Sequence, residues 1–380
     1  MPFPGRRIAA LPTVLLAGLL TGLLGACAAE REPLETRFRG PTMGTTWTVV
    51  LSGQIPQQQA DAWQGAFEQE LERLNAVFSG WDPSSAMARF NASDSTRFTA
   101  LPAELLDLLD AAHAISRASD GAYDATLGEV LALYGVGPGT SADAEADHAL
   151  DADVEADADG IPGSVSDGQP ARPVSLPSAE ALADALARTG PAQLVRLGDR
   201  LRKRDARVRI DLSSIAKGYA VDRLGETLES GGVEDYLVEI GGELRTRGRA
   251  PGAQAWRVGI ETPDGTVDAG LALNDAHLAS SGSYRDWREL DGVRVSHVID
   301  ARDGRPLRHD LVAVTVLADS TALADAWATA LLVVGAERAR QLGARHDLHV
   351  QLVQRADEGF STWRSPGFAA LIATDEEQER

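Results

Sequence analysis

Apolar and polar positions along the chain mark out a mixed set of elements. Residues 46–51 alternate with the period of two of a half-buried strand. Between 57 and 78, Trp63, Phe67, Leu71, Leu74 and Phe78 recur at helical spacing, and 105–115 predicts a second helix. A glycine-bounded turn at 121–128 precedes a short helix over 129–134. Ser178 caps a helix that runs through Leu186. Apolar runs at 194–197, 201–203 and 208–210 predict short strands. A helix over 219–230 stops at Gly231-Gly232, and a strand over 236–240 enters the tight turn Gly241-Gly242. Further strands are predicted at 244–246, 256–261, 270–273, 278–281, 295–299 and 312–317. Helices at 319–334 and 336–342 precede a closing strand pair at 348–353 and 359–363. Helices interrupt clusters of strands without regular alternation. That order predicts a mixed α/β fold of the α+β kind, with largely antiparallel sheets, and argues against a Rossmann or barrel plan.

The first residues do not belong to that pattern. Arg6 and Arg7 precede an apolar run at 8–24 that Pro12 and Gly18 interrupt, and Leu24-Gly25-Ala26-Cys27 follows. A basic start, a short apolar core and small residues describe a secretory signal, and the run is short and glycine-rich for a permanent membrane helix. Cys27 is the one cysteine of the chain, so no intramolecular disulfide forms. Its position after small residues resembles a bacterial lipobox, which implies a signal over 1–26, lipid on Cys27 and a polar tether over 27–38. Bacterial periplasm is the expected compartment. With Ala28 in place of Asp, the anchor leans towards the outer membrane over the periplasmic face of the inner one.

Composition changes the picture in one respect. Formal net charge is −20 across 380 residues, which excludes nucleic acid as an expected partner. The acidity concentrates in an Ala/Asp-rich stretch at about 140–172 that cannot bury a core and repels itself, so it is expected to be a disordered surface insert. It lacks the glycine and terminal glutamate of an EF-hand loop.

Three segments carry candidate chemistry. In Ile210-Asp-Leu-Ser-Ser-Ile-Ala-Lys-Gly-Tyr-Ala-Val-Asp222, a strand end passes through a polar turn into a helix. Asp211, Ser213 and Ser214 are suitable N-cap residues, and Lys217 and Gly218 follow. Free backbone N–H groups, a lysine and hydroxyls converge where the helix dipole favours an anion such as phosphate. The same pattern also describes an ordinary strand–helix junction. In Ala324-Asp-Ala-Trp-Ala-Thr-Ala-Leu331, Asp325 and Thr329 share one apolar helix face. A buried carboxylate needs a partner, and carboxylate plus hydroxyl is hard-oxygen chemistry suited to Mg²⁺. The dipole of the helix N-terminus alone is the competing account of Asp325. In Ser296-His-Val-Ile-Asp-Ala-Arg-Asp-Gly-Arg-Pro306, a strand runs into an Asp-Gly turn, with His297 and Ile299 on one face. His297 is a candidate acid/base or a structural residue. No dinucleotide-binding or P-loop glycine fingerprint is present.

Taken in order, Met-Gly-Thr-Thr at 43–46, Trp81 with Arg89-Phe-Asn91, Gly-Ala-Tyr-Asp at 121–124, the 211–222 stretch, Gly241-Gly242-Glu243, Ser281-Gly282, His-Val-Ile-Asp at 297–300 and the 324–331 helix closely resemble the ApbE family of FAD:protein FMN transferases. The likeness spans about 39–335, within an expected domain over 39–375. The family resemblance implies Mg²⁺, FAD as substrate, and FMN transfer to a threonine or serine hydroxyl of an acceptor protein, with release of AMP. The acceptor would be a membrane or periplasmic redox subunit. It implies FAD contacts at Met43, Trp81, Ala122, Tyr123, Asp124, Asp211, Lys217 and Ile299. It places Ser214, Asp325 and Thr329 at the metal, Ser214 through its hydroxyl or its carbonyl, and His297 as the acid/base. Trp327 and Ala301 depart from the family's usual leucine and proline, and neither removes a proposed ligand. An FAD pyrophosphatase with water as acceptor, or a non-catalytic flavin-binding lipoprotein, are the alternative readings.

Overall fold

The first hairpin shows how local chemistry sets the frame. Strands β1 (Glu35–Thr42) and β2 (Thr45–Ser52) close on Met43 and Gly44, which both take positive φ, 49° and 74°. Such a two-residue turn matches the twist of the strands it joins, and the strand it opens begins at Thr45, one residue before the predicted start. In the computed structural model, residues 35–138, 175–284, 287–291 and 293–373 are described. Cys27, the leader and the acidic stretch lie outside them. Strand β1 begins at Glu35, so the segment read as a tether to 38 is folded at its end. Phe38 is the reason: it is buried, and its ring meets Phe67 edge-on at 5.4 Å.

The hairpin opens an eight-stranded sheet in the order β1-β2-β6-β7-β10-β15-β16-β17, and every neighbouring pair is antiparallel. Its later strands are β6 (Tyr236–Ile240), β7 (Glu243–Arg247), β10 (Ala276–Gly282), β15 (Leu311–Leu317), β16 (His349–Arg355) and β17 (Phe360–Arg364). Outside it, β3 (Thr99–Ala100), β4 (Leu194–Leu197) and β5 (Arg200–Lys203) form one small sheet. The pairs β8 (Trp256–Glu261) with β9 (Val267–Leu273), β11 (Trp287–Leu290) with β12 (Val293–Ser296), and β13 (Ile299–Asp300) with β14 (Arg305–Pro306) form three more. The mixed, largely antiparallel architecture is the one expected.

Helices cover one face of the large sheet. They include α1 (Gln57–Phe78), α2 (Ala86–Ala92), α3 (Ala103–Ala118), α6 (Ala216–Ser230), α7 (Thr321–Val334) and α8 (Ala336–Arg345). The short helices α4 (Gly128–Leu133) and α5 (Ala179–Leu186) pack beside Leu290, Val295 and Ile299 in a satellite cluster. Helix α7 is buried nearly all round, because its alanines let it lie close to α3 and α6 while it packs on β10 and β15. On the opposite sheet face, β8, β9 and α9 (Pro366–Ala369) enclose Leu244, Ile260, Leu271, Leu278 and Phe368.

Several predicted elements end differently. Helix α6 begins at Ala216, three residues before the predicted start, and its N-cap residue is Ile215, without a side-chain cap. Asp211 and Ser213 are spent on a turn of their own. Residues 208–210 form only an isolated bridge, Arg209 with Leu127. The predicted strand over 295–299 breaks at His297 and Val298, between β12 and β13. His297 therefore stands at an interruption and not in a strand.

Candidate active site

The 211–222 stretch and α7 meet where sequence distance hides it. Asp211 accepts from the backbone N–H (2.9 Å) and hydroxyl (2.6 Å) of Ser213, closing a turn ahead of α6. Asn91 holds the incoming segment as a strand would, donating to the Ile210 carbonyl (2.7 Å) and accepting from its N–H (2.8 Å). One turn into α6, Gly218 packs so tightly on α7 that a Cβ would overlap the carbonyl of Thr321. That approach lets the Gly218 N–H donate to Asp325 Oδ2 at 3.2 Å. Asp222, on the same helix, accepts from the N–H groups of Thr321 and Ala322, each at 3.0 Å, and contacts His277 Nδ1 at 3.1 Å. Helix α6 thus fixes the start of α7, and with it Asp325.

A compact charge cluster results. Lys217 Nζ lies 2.6 Å from Glu243 Oε1, and Glu243 is buried at the first position of β7. Its other oxygen, Oε2, is buried without a hydrogen-bond partner among the described residues. Burial and the neighbouring Asp325 hold Glu243 well above the usual carboxylate range, at about 8. Burial also raises Asp325, against the pull of Lys217 and the Gly218 N–H. Burial alone would lower Lys217, but Asp325 and Glu243 outweigh it and keep the ammonium charged. Two buried carboxylates share one ammonium, so with both ionised the cluster would hold one negative charge in excess, which a proton or a cation relieves.

These groups line one cavity of about 690 Å³, within the range of small-molecule sites. It takes in Tyr123, Asp124, Asp211, Ser214, Lys217, His297, Ile299, Asp325 and Thr329 from the sequence-selected residues. Ser214 donates to the Tyr123 hydroxyl (3.2 Å), whose own proton burial makes hard to lose. Asp124 accepts from Thr126 N–H and Oγ1, both at 2.7 Å. Thr329 Oγ1 lies 3.0 Å from Ser281 Oγ. Met43, Trp81 and Ala122 do not form part of the wall. Met43 occupies the hairpin turn and packs on the main core, Trp81 is 58 % exposed in a turn held by Ser79, and Ala122 is buried behind its neighbours.

The donor set fits Mg²⁺. Among the described residues no group of three or more His, Cys, Asp or Glu side chains could hold a metal, which argues against a thiolate or imidazole cage. What the cavity offers is two buried carboxylates, Asp325 and the Lys217-paired Glu243, with the Ser214, Ser281 and Thr329 hydroxyls on the same wall, a sparse oxygen set of the kind Mg²⁺ completes with water and phosphate.

A family model described as the ApbE family matches residues 43–353. The chain belongs to the ApbE family. It is 33% identical over 362 residues to the FAD:protein FMN transferase of Klebsiella pneumoniae, covering 92% of this chain and 94% of the relative. A relative of the same name from Vibrio cholerae is 33% identical, covering 95% and 98%. Among solved structures, Flavin Transferase ApbE from Vibrio cholerae superposes with a TM-score of 0.73 at 32% identity, covering 89% of this chain and 99% of that one. Pseudomonas stutzeri flavinyl transferase ApbE, in its apo form, gives 0.73 at 35% identity, covering 90% and 97%.

As an ApbE-family member the chain shows wall residues that sequence reading did not assign. Glu239, Ser280 and Gln351 line the cavity, and Glu243 supplies its buried charge. Gly241-Gly242-Glu243 and Ser281-Gly282 stand out as motifs, but their pattern gives no role to the glutamate or the serine. Gln351 sits in an ordinary strand pattern and carries no signal at all.

Proposed function

We propose that this chain transfers FMN from FAD to a threonine or serine hydroxyl of an acceptor protein, with Mg²⁺ as cofactor and AMP as leaving group. The observation that carries the reading is the meeting of Asp325, Thr329, Lys217 and the 211–218 turn in one cavity. The names of the chain's ApbE relatives supply flavin, donor and protein acceptor. Tyr123, Asp124, Asp211, Lys217 and Ile299 would hold FAD. Met43, Trp81 and Ala122 keep the FAD-contact role that the resemblance gives them only if loop or side-chain movement brings them to the wall. Ser214, Asp325 and Thr329 would hold Mg²⁺, which when bound supplies charge neutralisation at the phosphates.

Phosphoryl transfer needs positioning and charge compensation more than covalent help from protein. The acceptor oxygen forms a bond to the FMN phosphorus while the bond from that phosphorus to the bridging oxygen breaks, and the bridging oxygen leaves on AMP. The hydroxyl proton passes to a base, for which His297 is the cavity's imidazole. Lys217 adds positive charge on the phosphate side. Asp325→Ala should abolish metal-dependent AMP release, and full activity in that variant would refute the metal assignment. His297→Ala should slow transfer while FAD still quenches on binding; equal loss of both would remove the base role.

We place the protein in the bacterial periplasm, anchored by lipid on Cys27, on the strength of Arg6, Arg7, the apolar run and the small residues before Cys27. Among the described residues no helix is long and apolar enough to cross a membrane. Cys27→Ser should release the protein from the membrane fraction; unchanged fractionation would contradict the anchor.

A further inference from the structure

The large sheet has a notch at the active site. Strand β7 pairs with β10 only from Ala276↔Thr246 to Leu278↔Leu244, whereas β10 stays paired with β15 as far as Gly282↔Ala313. The cause is the β6–β7 hairpin, which reverses at Gly241-Gly242 while β10 runs on past its tip. The direction of the groups left over follows from two bonds. The Ser283 N–H donates to the Val312 carbonyl (2.9 Å), and the Ala318 N–H donates to the His277 carbonyl (3.3 Å). Odd-numbered residues of β10 therefore bond to β15. The N–H and C=O groups of Ser280 and Gly282 point the other way, and among the described residues no strand pairs with them there. Ser280, Ser281 and Gly282 line the cavity together with Gly241, Gly242 and Glu243.

We infer that the acceptor protein enters this notch as an extended segment and adds a short strand to the open edge of β10. The inference rests on the FMN-transfer reading of the site. An anion would use only donors, but this edge alternates donors and acceptors, as a polypeptide does. Gly242 leaves open space at the hairpin tip, where a side chain would crowd the entering segment.

The pleat assigns the segment's side chains to two compartments. On the helix face, Ser281 Oγ lies 3.0 Å from Thr329 Oγ1, so a residue pointing that way brings its hydroxyl to the metal-side cluster. Its two neighbours point to the opposite face, over a row in register across three strands: Ser280, Thr315 and Gln351. Ser280 and Thr315 share a hydrogen bond (2.9 Å). Gln351 is fully buried; its Oε1 accepts from Arg364 (2.7 Å), and its buried Nε2 has no hydrogen-bond partner among the described residues. Val258, Ile260 and Val353 wall this compartment. It fits small or apolar residues flanking the hydroxyl.

The test uses the whole protein with FAD, Mg²⁺ and peptides of random sequence around one threonine. Labelled peptides are found by flavin fluorescence and mass, and the best one is remade with single N-methylated amides. N-methylation at alternate positions should cut labelling about tenfold, the loss of one or two main-chain bonds, and leave the positions between unaffected. Labelling that is insensitive at every position keeps the transferase reading and overturns the strand pairing. AMP release with no peptide labelled overturns the transfer reading and this inference with it. On the protein side, Ser280→Pro removes an N–H from the open edge while the backbone ladder to β15 keeps its bonds, and Ser280→Ala controls for the lost Thr315 hydroxyl bond. Ser280→Pro should raise the KM for the peptide about tenfold while FAD binding, read by quenching, stays unchanged. A matching loss of FAD binding would show that the edge holds the dinucleotide and would overturn the proposal.

Discussion

Charge counting at single residues explains most of the site's behaviour. Lys217 faces Glu243, Asp325 and Glu239, so the metal-free cavity holds more negative charge than it can compensate. A proton relieves it. Burial, with Asp325 beside it, pushes the Glu243 carboxyl up to about 8 in the folded chain from 4.5. The folded state then holds a proton that the unfolded state has lost, so stability falls as pH rises from about 5 to 8. Thermal unfolding in chelator should show that fall; Glu243→Gln should flatten it, and Mg²⁺ should offset it at the alkaline end. An unchanged slope in Glu243→Gln would contradict the assignment. Asp325 and Thr329 were legible in the sequence because the helical repeat alone puts them on one face. Glu243 and Gln351 were not, because their roles arise from a cross-chain ion pair and from sheet register, which no local pattern encodes.

Among the elements, α7 depends on α6 for its placement. Ser320 caps α7 locally through Leu323 N–H (3.2 Å), but Asp222 supplies two further acceptors from across the interface. Burial would raise the Asp222 carboxyl, yet His277 and those two N–H groups outweigh it and hold it low. Asp222→Asn should cost ~1–2 kcal/mol in denaturant unfolding, a capping loss. It should also weaken Mg²⁺ dependence, since Asp325 rides on the same helix. Unchanged stability would show that Ser320 suffices. Helices with strong periodicity or a serine cap, such as α1 and α5, were readable to the residue. The start of α6 was not, because Asp211 bonds within its own turn and leaves the helix to begin uncapped at Ala216. The break at His297 was equally hidden, since alternation continues through it in the sequence.

At the level of the whole molecule, the antiparallel, helix-covered sheet was readable from the order of elements. The adjacency of β7 and β10, which creates the notch, was not, because β8 and β9 fold away as a separate pair between them. That detour opens a cavity reaching from the Lys217–Asp325 cluster on one sheet face to the Gln351 row on the other. A cavity with two compartments suits a reaction with two large substrates, as the transfer reading requires. The decisive measurement combines purified protein, FAD, Mg²⁺ and a threonine-bearing acceptor protein, and follows acceptor fluorescence on a denaturing gel together with AMP. FMN transfer predicts a covalently fluorescent acceptor and AMP in equal amounts. AMP with free FMN and an unlabelled acceptor would contradict it.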